Sequence, residues 1–146
     1  FCLAKHPHSF IITINNQLLQ FVLPHFKYLQ KDSLIMSTSI TYQYRDASNF
    51  KEFDTVIIHG QLSLNDIEEY LYDREFFIPS EIGLNDLQPK NLNQDDHIWH
   101  EILEINHTHE KPTADITAEI IISNFKKASL EEWNILEASK RLGLFI

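Results

Sequence analysis

The sequence predicts an α+β fold, in which a mostly antiparallel sheet of three to five strands carries a middle helix and two C-terminal helices. Residues 34–45 alternate between apolar and polar side chains, which is the period of a half-buried strand. Residues 55–58 form a short apolar run that is typical of a buried strand. After Pro112 the apolar residues recur at helical spacing. Strands therefore precede helices, an order that favours α+β over a doubly wound sheet.

A chain of 146 residues is long enough to bury its own core, so we expect one globular domain over residues 1–146, with residues 1–9 as a loose end. Cys2 is the single cysteine, which excludes an intrachain disulfide and a cysteine-based zinc site and favours a reducing cytoplasm. The apolar-leaning residues 10–26 are interrupted by polar groups and a proline, so we expect core rather than a membrane span. The chain begins at Phe1 rather than methionine, which leaves a regulatory or structural piece of a larger protein as a further hypothesis.

The first predicted strands form a hairpin over residues 10–23. Asn15 and Asn16 lie at its centre, and asparagine tolerates the positive φ that a two-residue turn needs. A helix through residues 18–29 competes with this hairpin, although Pro24 would fall in its interior. In the following strand, one face is expected to be buried and the other solvated. The buried row consists of Leu34, Met36, Thr38, Ile40, Tyr42 and Tyr44.

The middle of the chain alternates between loops and short elements. Residues 46–54 are predicted to be a polar connection that leads into the strand at residues 55–58. Ser63 then caps a helix, with Asp66 placed to complete a capping box. Residues 75–87 are predicted to form a short strand and an ordered loop. The inner face of the helix is expected to contain Ile67 and Leu71.

Residues 97–105 can form either a helix or a strand. In a helix, the apolar side chains span an arc of about 160°, and the histidines and glutamates fill the other side. This period favours the helix, whereas a length of nine residues fits either structure. The apolar arc consists of Ile98, Trp99, Ile102, Leu103 and Ile105.

Two helices are predicted at the C-terminal end. Thr113 caps the first, with a buried strand at residues 120–122 as the alternative. Ser129 caps the second, with Glu132 at its third position, and Gly143 lies where a C-cap glycine is expected. The first helix is expected to bury Ile116, Ile120, Ile121 and Phe125. The second helix is expected to bury Leu130, Trp133, Ile135, Leu136 and Leu142.

Residues 95–113 hold four of the eight histidines and are the candidate site for chemistry. On a helix, their acidic and histidine side chains would share one face, and two later histidines can fold back to complete a site for zinc or another divalent metal. The stretch from His100 resembles the HExxH helix of zinc peptidases, with Glu104 in place of the second histidine and Glu101 as the general base. A metal-dependent hydrolase is the alternative function, weighed against a polar face that only contacts solvent. The candidate ligands are His97, His100, Glu104, His107 and His109.

The net charge of −9 is unevenly distributed. Residues 1–50 carry a net +2, whereas residues 52–119 carry three basic and sixteen acidic side chains, a net −13. A field of this sign repels phosphate backbones, so a basic protein rather than nucleic acid is the expected partner. We therefore expect a non-enzymatic protein-binding module, by analogy of charge and size with small acidic immunity and antitoxin proteins; solubility is the competing explanation. The candidate partner-binding residues are Asp66, Glu68, Glu69, Asp73, Glu81, Asp86, Asp95 and Asp96.

Overall fold

A computed structural model describes residues 36–144 of the chain. It confirms the α+β prediction, with a four-stranded antiparallel sheet and three helices, two of them C-terminal. The strands are β1 (Ser37–Arg45), β2 (Lys51–His59), β3 (Phe76–Phe77) and β4 (His100–Thr108), in the order β2-β1-β4-β3. The helices are α1 (Pro79–Ile82), α2 (Ala118–Leu130) and α3 (Ile135–Leu142). The predicted loose end at residues 1–9 and the hairpin at residues 10–23 lie outside the described residues.

Strand β1 forms the centre of the fold and buries the predicted inner row, but the face predicted to be solvated is largely covered, with Ser37 and Gln43 buried. It pairs with β2 on one side and β4 on the other. The side chains of Ile40, Tyr42 and Tyr44 are buried in the core, while Arg45 is exposed at the strand end. Because β1 has a neighbour on each side, its backbone N–H and C=O groups are hydrogen-bonded along both edges. This pairing places β1 in the interior of the sheet.

Strand β2 begins at Lys51 and is therefore longer than predicted. A tight turn places its first residues beside β1: the backbone N–H of Asp46 donates to Phe50 O at 3.1 Å, and the Asp46 carboxylate accepts from Phe50 N–H at 2.8 Å. The second half of the strand contains the predicted buried run. Phe53 belongs to the part predicted as a loop, and its side chain lies on the outer face of the sheet, 52% exposed.

The helix predicted after Ser63 is a pair of 3-10 turns, Leu64–Asp66 and Glu68–Tyr70. The capping interaction is confirmed, since the Asp66 carboxylate accepts from the Ser63 N–H at 2.8 Å. The predicted inner residues, Ile67 and Leu71, are buried. The middle α-helix of the fold, α1, begins at Pro79, after the short strand expected in this region and within the segment that was predicted to be a loop.

Residues 97–105 do not form the predicted helix: His100–Thr108 is strand β4. Its backbone pairs with β1 from Ser37 to Tyr44, and its first two residues also pair with β3. The pairing with β1 shifts by one residue, so that Leu103 is an extra residue between Ile102 and Glu104. Hydrogen bonds to the neighbouring strands stabilise the extended conformation. The sequence of residues 97–105 alone does not show these bonds, so its period favoured the helix.

The first C-terminal helix begins four residues later than predicted. Thr117 is its N-cap and accepts from Ile120 N–H. Thr113 instead binds the edge of β2: its hydroxyl accepts from Ile57 N–H at 2.9 Å, and its N–H donates to Ile57 O at 2.8 Å. Of the predicted inner face, Ile121 is buried, but Ile120 is 48% exposed, because it lies on the opposite side of the helix.

The break between α2 and α3 is also later than predicted. Ser129 lies inside α2, and the chain turns through Glu132, Trp133 and Asn134, all with positive φ. Trp133 is buried as predicted, whereas Leu130 and Leu136, which were predicted to be buried, are 78% and 54% exposed. Gly143 is confirmed as the C-cap of α3, with φ +74°. Across residues 36–144, every helix is too short or too polar to cross a membrane.

Candidate functional site

His100, the first residue of the zinc-peptidase-like stretch, is fully buried in the core. Its Nε2 atom accepts from the backbone N–H of Leu87 at 3.0 Å, so the ring proton is on Nδ1, which lies 3.2 Å from Ile98 O. Burial lowers the pKa of this ring from 6.5 to about 3, since the interior disfavours the charged form. Both ring nitrogens are therefore occupied by backbone groups, and the side chain is a neutral core histidine.

Aromatic rings surround His100 and complete this buried site. The rings of Tyr42, Tyr44 and Phe77 have centroids 6.2, 5.4 and 6.1 Å from that of His100. The hydroxyl of Tyr42 donates to Asn85 O at 2.9 Å, so the polar ends of the cluster are also bonded. These contacts are those of a packed core rather than of an open ligand pocket.

The other candidate metal ligands point in different directions. The Nδ1 atom of His97 accepts from Trp99 N–H at 3.2 Å. The carboxylate of Glu101 lies on the outer face of the sheet, where it accepts from Gln43 at 2.6 Å and pairs with Arg45 at 2.9 Å. Glu101, the predicted general base, therefore has hydrogen-bond and ion-pair partners within the sheet.

The remaining three candidates lie further along β4 and beyond it. Glu104 accepts from the side chain of Asn106 at 3.2 Å on the outer face, and His107 lies opposite Thr38 with an exposed side chain. His109 follows the end of the strand and is exposed. Among residues 36–144, no three histidine, cysteine, aspartate or glutamate side chains are grouped so that they could hold a metal ion. The convergence that the metal hypothesis needs is not present in this part of the chain.

Three of the predicted partner-binding carboxylates stabilise loops. Asp66 accepts from Ser63, and these hydrogen bonds lower the pKa of its carboxyl. Asp95 accepts from the hydroxyl of Ser48 at 2.6 Å. Asp96 accepts from the Tyr44 hydroxyl at 2.6 Å. Their oxygen atoms are therefore engaged within the fold.

Two more of these carboxylates hold α3 against α1. Arg141, near the end of α3, lies 3.3 Å from Glu81 and 3.8 Å from Asp86. Glu81 also accepts from the side chain of Asn134 at 3.2 Å, and Asp86 accepts from Ser80 N–H at 3.1 Å. These acids have partners more than fifty residues away in sequence, which no local pattern reveals.

The last three predicted carboxylates, Glu68, Glu69 and Asp73, are exposed and form no ion pair with another residue of the described region. They belong to residues 63–75, which we call the acidic loop and which carry five acidic side chains and one basic one. Glu68 and Glu69 line an open cavity of about 400 Å³. The structure thus separates the eight predicted acids into five that are held by hydrogen bonds or ion pairs within the fold and three that are exposed and form no ion pair among the described residues. Of these three, Glu69 accepts from the hydroxyl of its neighbour Tyr70 and raises the pKa of that group.

The sequence did not predict that two apolar side chains of the acidic loop are exposed. Leu64 is 47% exposed and Tyr72 is 38% exposed. The ring of Tyr72 stacks on Trp99, with centroids 4.3 Å apart and planes at 15°, which fixes its position. A helical reading would place Leu64 three residues before the buried Ile67 and therefore inside, so the apolar pattern gave no signal for its exposure.

Comparison with known proteins adds no functional information to this geometry, because no family model, no curated protein and no solved structure matches the chain.

Proposed function

We propose that this chain is a non-enzymatic protein-binding module, of the neutralising, immunity or antitoxin type, whose acidic loop binds a basic protein. The observation that carries the proposal is the position of Glu68, Glu69 and Asp73 beside the exposed apolar side chains of Leu64 and Tyr72. Exposed carboxylates that form no ion pair attract a basic surface, and apolar side chains supply area that a partner can bury.

The charge of the described region favours fast encounter with such a partner. Residues 36–144 carry nine basic and twenty acidic side chains, a net −11. Within the acidic loop, Arg74 is the single basic residue against five acids. A surface of one sign raises the association rate for the opposite charge, and this effect decreases with ionic strength.

The apolar part of the acidic loop provides anchors for binding. Aromatic side chains at the centre of an interface often contribute a large share of the binding free energy. Tyr72 loses little conformational entropy on binding, because it already stacks on Trp99. The loop therefore combines electrostatic attraction with a preorganised contact, which is the combination that small binding modules need.

No observation in residues 36–144 favours the alternative of a metal-dependent hydrolase. His100 has both ring nitrogens bonded within the core, and Glu101 is paired with Arg45. A cytoplasmic location is part of the proposal and rests on the single cysteine.

The test uses three immobilised baits: the full chain, a loop variant (Glu68→Gln, Glu69→Gln and Asp73→Asn) and a control (Glu52→Gln, Asp115→Asn and Glu132→Gln). Both variants remove three negative charges at exposed positions. We expect a basic protein to be retained by the full chain and the control but not by the loop variant. The dissociation constant of the purified partner should then increase between about 50 mM and about 300 mM salt, as screening predicts. A partner that binds all three baits equally, or whose affinity ignores salt, would contradict the proposal.

A further inference from the structure

Strand β4 has one edge that no other described strand occupies beyond its first two residues. On one side it pairs with β1 from His100 to Thr108. On the other side, β3 pairs only with His100 and Glu101. Within residues 36–144, the edge from Ile102 to the end of β4 has no strand beside it.

The pairing of β1 with β2 shows which way the backbone N–H and C=O groups of β1 point. Gly60 N–H donates to Met36 O at 2.9 Å, so the even-numbered residues of β1 point their backbone groups toward β2. The odd-numbered residues therefore bond to β4, where they lie opposite Glu104 and Asn106.

The backbone groups of the intervening residues, Ile105 and His107, consequently point to the unoccupied edge. Each presents one N–H and one C=O, so a further strand would gain four hydrogen bonds there. Unpaired groups of this kind are a template for strand addition.

The outer edge of β2 differs from this edge. Residues 113 and 116 cover its second half, where Ile57 bonds to Thr113 and His59 N–H donates to Ile116 O at 3.0 Å. At its other end it carries Lys51, a residue type that discourages strand addition at edges. The edge of β4 has no such cover among the described residues, which makes it the more receptive of the two.

The side chains of β4 define what would pair with it. Glu104 and Asn106 are exposed on the outer face of the sheet. Ile105 lies on the inner face, opposite Ile40, and is only partly buried against the core. An added strand therefore fits best if its outward side chains are basic and its inward side chains are apolar.

The acidic loop connects β2 to β3 along the chain. Leu62, the residue before it, donates its N–H to the hydroxyl of Thr38 in β1, and Tyr72 near its end stacks on Trp99, which precedes His100. The carboxylates of the loop and the exposed Glu104 side chain on β4 both attract positive charge.

We propose that the basic partner binds by adding an extended segment, with alternating basic and apolar side chains, as a further strand along residues 104–108 of β4. This inference rests on the proposed function and names the mode of recognition. The bulge at Leu103 limits the paired length to these five residues, so the acidic loop and its apolar anchors supply the rest of the contact.

The test follows amide exchange in the full chain by NMR, with a heptapeptide that alternates lysine and valine as the probe. In the free chain, the amides of Ile105 and His107 should exchange faster than that of Asn106, which bonds to β1. At nine-tenths occupancy by the peptide, exchange at Ile105 and His107 should slow about tenfold, since only the free tenth of the molecules exchanges. The same peptide with its central valine replaced by proline should not bind.

A chain variant provides the matching control. His107→Pro removes an N–H that faces the open edge and leaves the β1 ladder intact, so the melting temperature should be retained while peptide binding is lost. Asn106→Pro removes an N–H that bonds to β1 and should lower the melting temperature.

The inference would be overturned if the proline peptide bound as well as the original peptide, or if His107→Pro bound the peptide fully. It would also be overturned if the amides of Ile105 and His107 were already protected in the free chain. Protection that increases with chain concentration alone would assign the edge to a second copy and would overturn it too. Peptide binding confined to the acidic loop would also overturn it while leaving the proposed function intact. Failure of the bait experiment would instead reject the proposed function.

Discussion

The backbone N–H of Leu87 donates to Nε2 of His100 at 3.0 Å in the centre of the core. This bond joins the loop after α1 to the first residue of β4, and it fixes the neutral form of the ring. A protonated ring would carry a hydrogen on both nitrogens and could not accept it. The fold therefore depends on an uncharged His100.

We expect the stability of the chain to fall with decreasing pH below about 6.5 because of His100. Burial lowers the pKa of this ring to about 3 in the folded chain, whereas the unfolded chain takes up the proton near 6.5. Between these values the unfolded state binds more protons, so acid favours unfolding. By about pH 4 the loss is on the order of 3 kcal/mol, at 1.36 kcal/mol per pH unit. Urea unfolding over a series of pH values measures it.

His100→Leu separates this effect from that of the carboxylates. At neutral pH the variant should be less stable by about 1–3 kcal/mol, because Leu87 N–H loses its acceptor. The difference from the unmodified chain should shrink as the pH decreases, since the variant has no ring to protonate. Parallel pH curves for the two proteins would show that His100 does not titrate as argued.

Tyr44→Phe should destabilise the chain through two hydrogen bonds. The Tyr44 hydroxyl donates to Asp96 at 2.6 Å and accepts from His97 N–H at 3.2 Å. Losing both partners of a largely buried group should cost about 1–3 kcal/mol in the free energy of unfolding. Burial, and then the hydrogen bond to Asp96, raise the pKa of Tyr44.

The raised pKa gives Tyr44→Phe a signature at alkaline pH. The unfolded tyrosine ionises near pH 10 and the folded one only at higher pH, so the unmodified chain should lose stability above about pH 10. The phenylalanine variant lacks this contribution, and its deficit should narrow there. A deficit that stays constant between pH 7 and about 11 would argue against the buried hydroxyl. Chemical unfolding at both values decides it.

The alternation of β1 was predictable because the strand is long and its outward row is polar, although Ser37 and Gln43 of that row are buried rather than solvated. The same approach failed for β4, and the bulge explains why. Leu103 is an extra residue, so Ile102 and Ile105 lie on the same inner face although they are three residues apart. Spacing of three is what a helix produces, and a bulged strand can imitate it.

The candidate site was only partly predictable for a different reason. The sequence identified the acidic region, but the internal partners of most of its carboxylates are distant in the chain. Arg141 binds Glu81 across sixty residues, and Tyr44 binds Asp96 across fifty-two. Which acids stay free is therefore a property of tertiary packing, and it cannot be read from local spacing.

Arg141→Gln should loosen the attachment of α3 to α1. The guanidinium of Arg141 contacts Glu81, Asp86 and the hydroxyl of Ser80. Because the group is 44% exposed, solvent screens these contacts, and we expect a loss of about 1 kcal/mol in the free energy of unfolding. The loss should decrease in high salt.

Lys140→Gln is the matched control for this prediction. Lys140 precedes Arg141 in α3 and carries the same charge, and within residues 36–144 its one ion-pair partner is Glu137, three residues away in the same helix, at 2.9 Å. Pairs of this kind contribute about 0.2–0.5 kcal/mol. Equal losses for the two variants would mean that Arg141 does not link the helices.

Glu132→Gly should stabilise the chain. Glu132 begins the left-handed turn between α2 and α3, with φ 51° and an exposed side chain. A residue with a side chain pays about 1–2 kcal/mol in this conformation, and glycine escapes that cost while losing about 0.5–1 kcal/mol through the greater freedom of the unfolded chain. The net gain should reach about 0.5–1 kcal/mol in urea unfolding. Glu131→Gly, one residue earlier at φ −93°, has no such strain to relieve and should destabilise the chain. If both glycine variants lose stability, the backbone at Glu132 is not under strain.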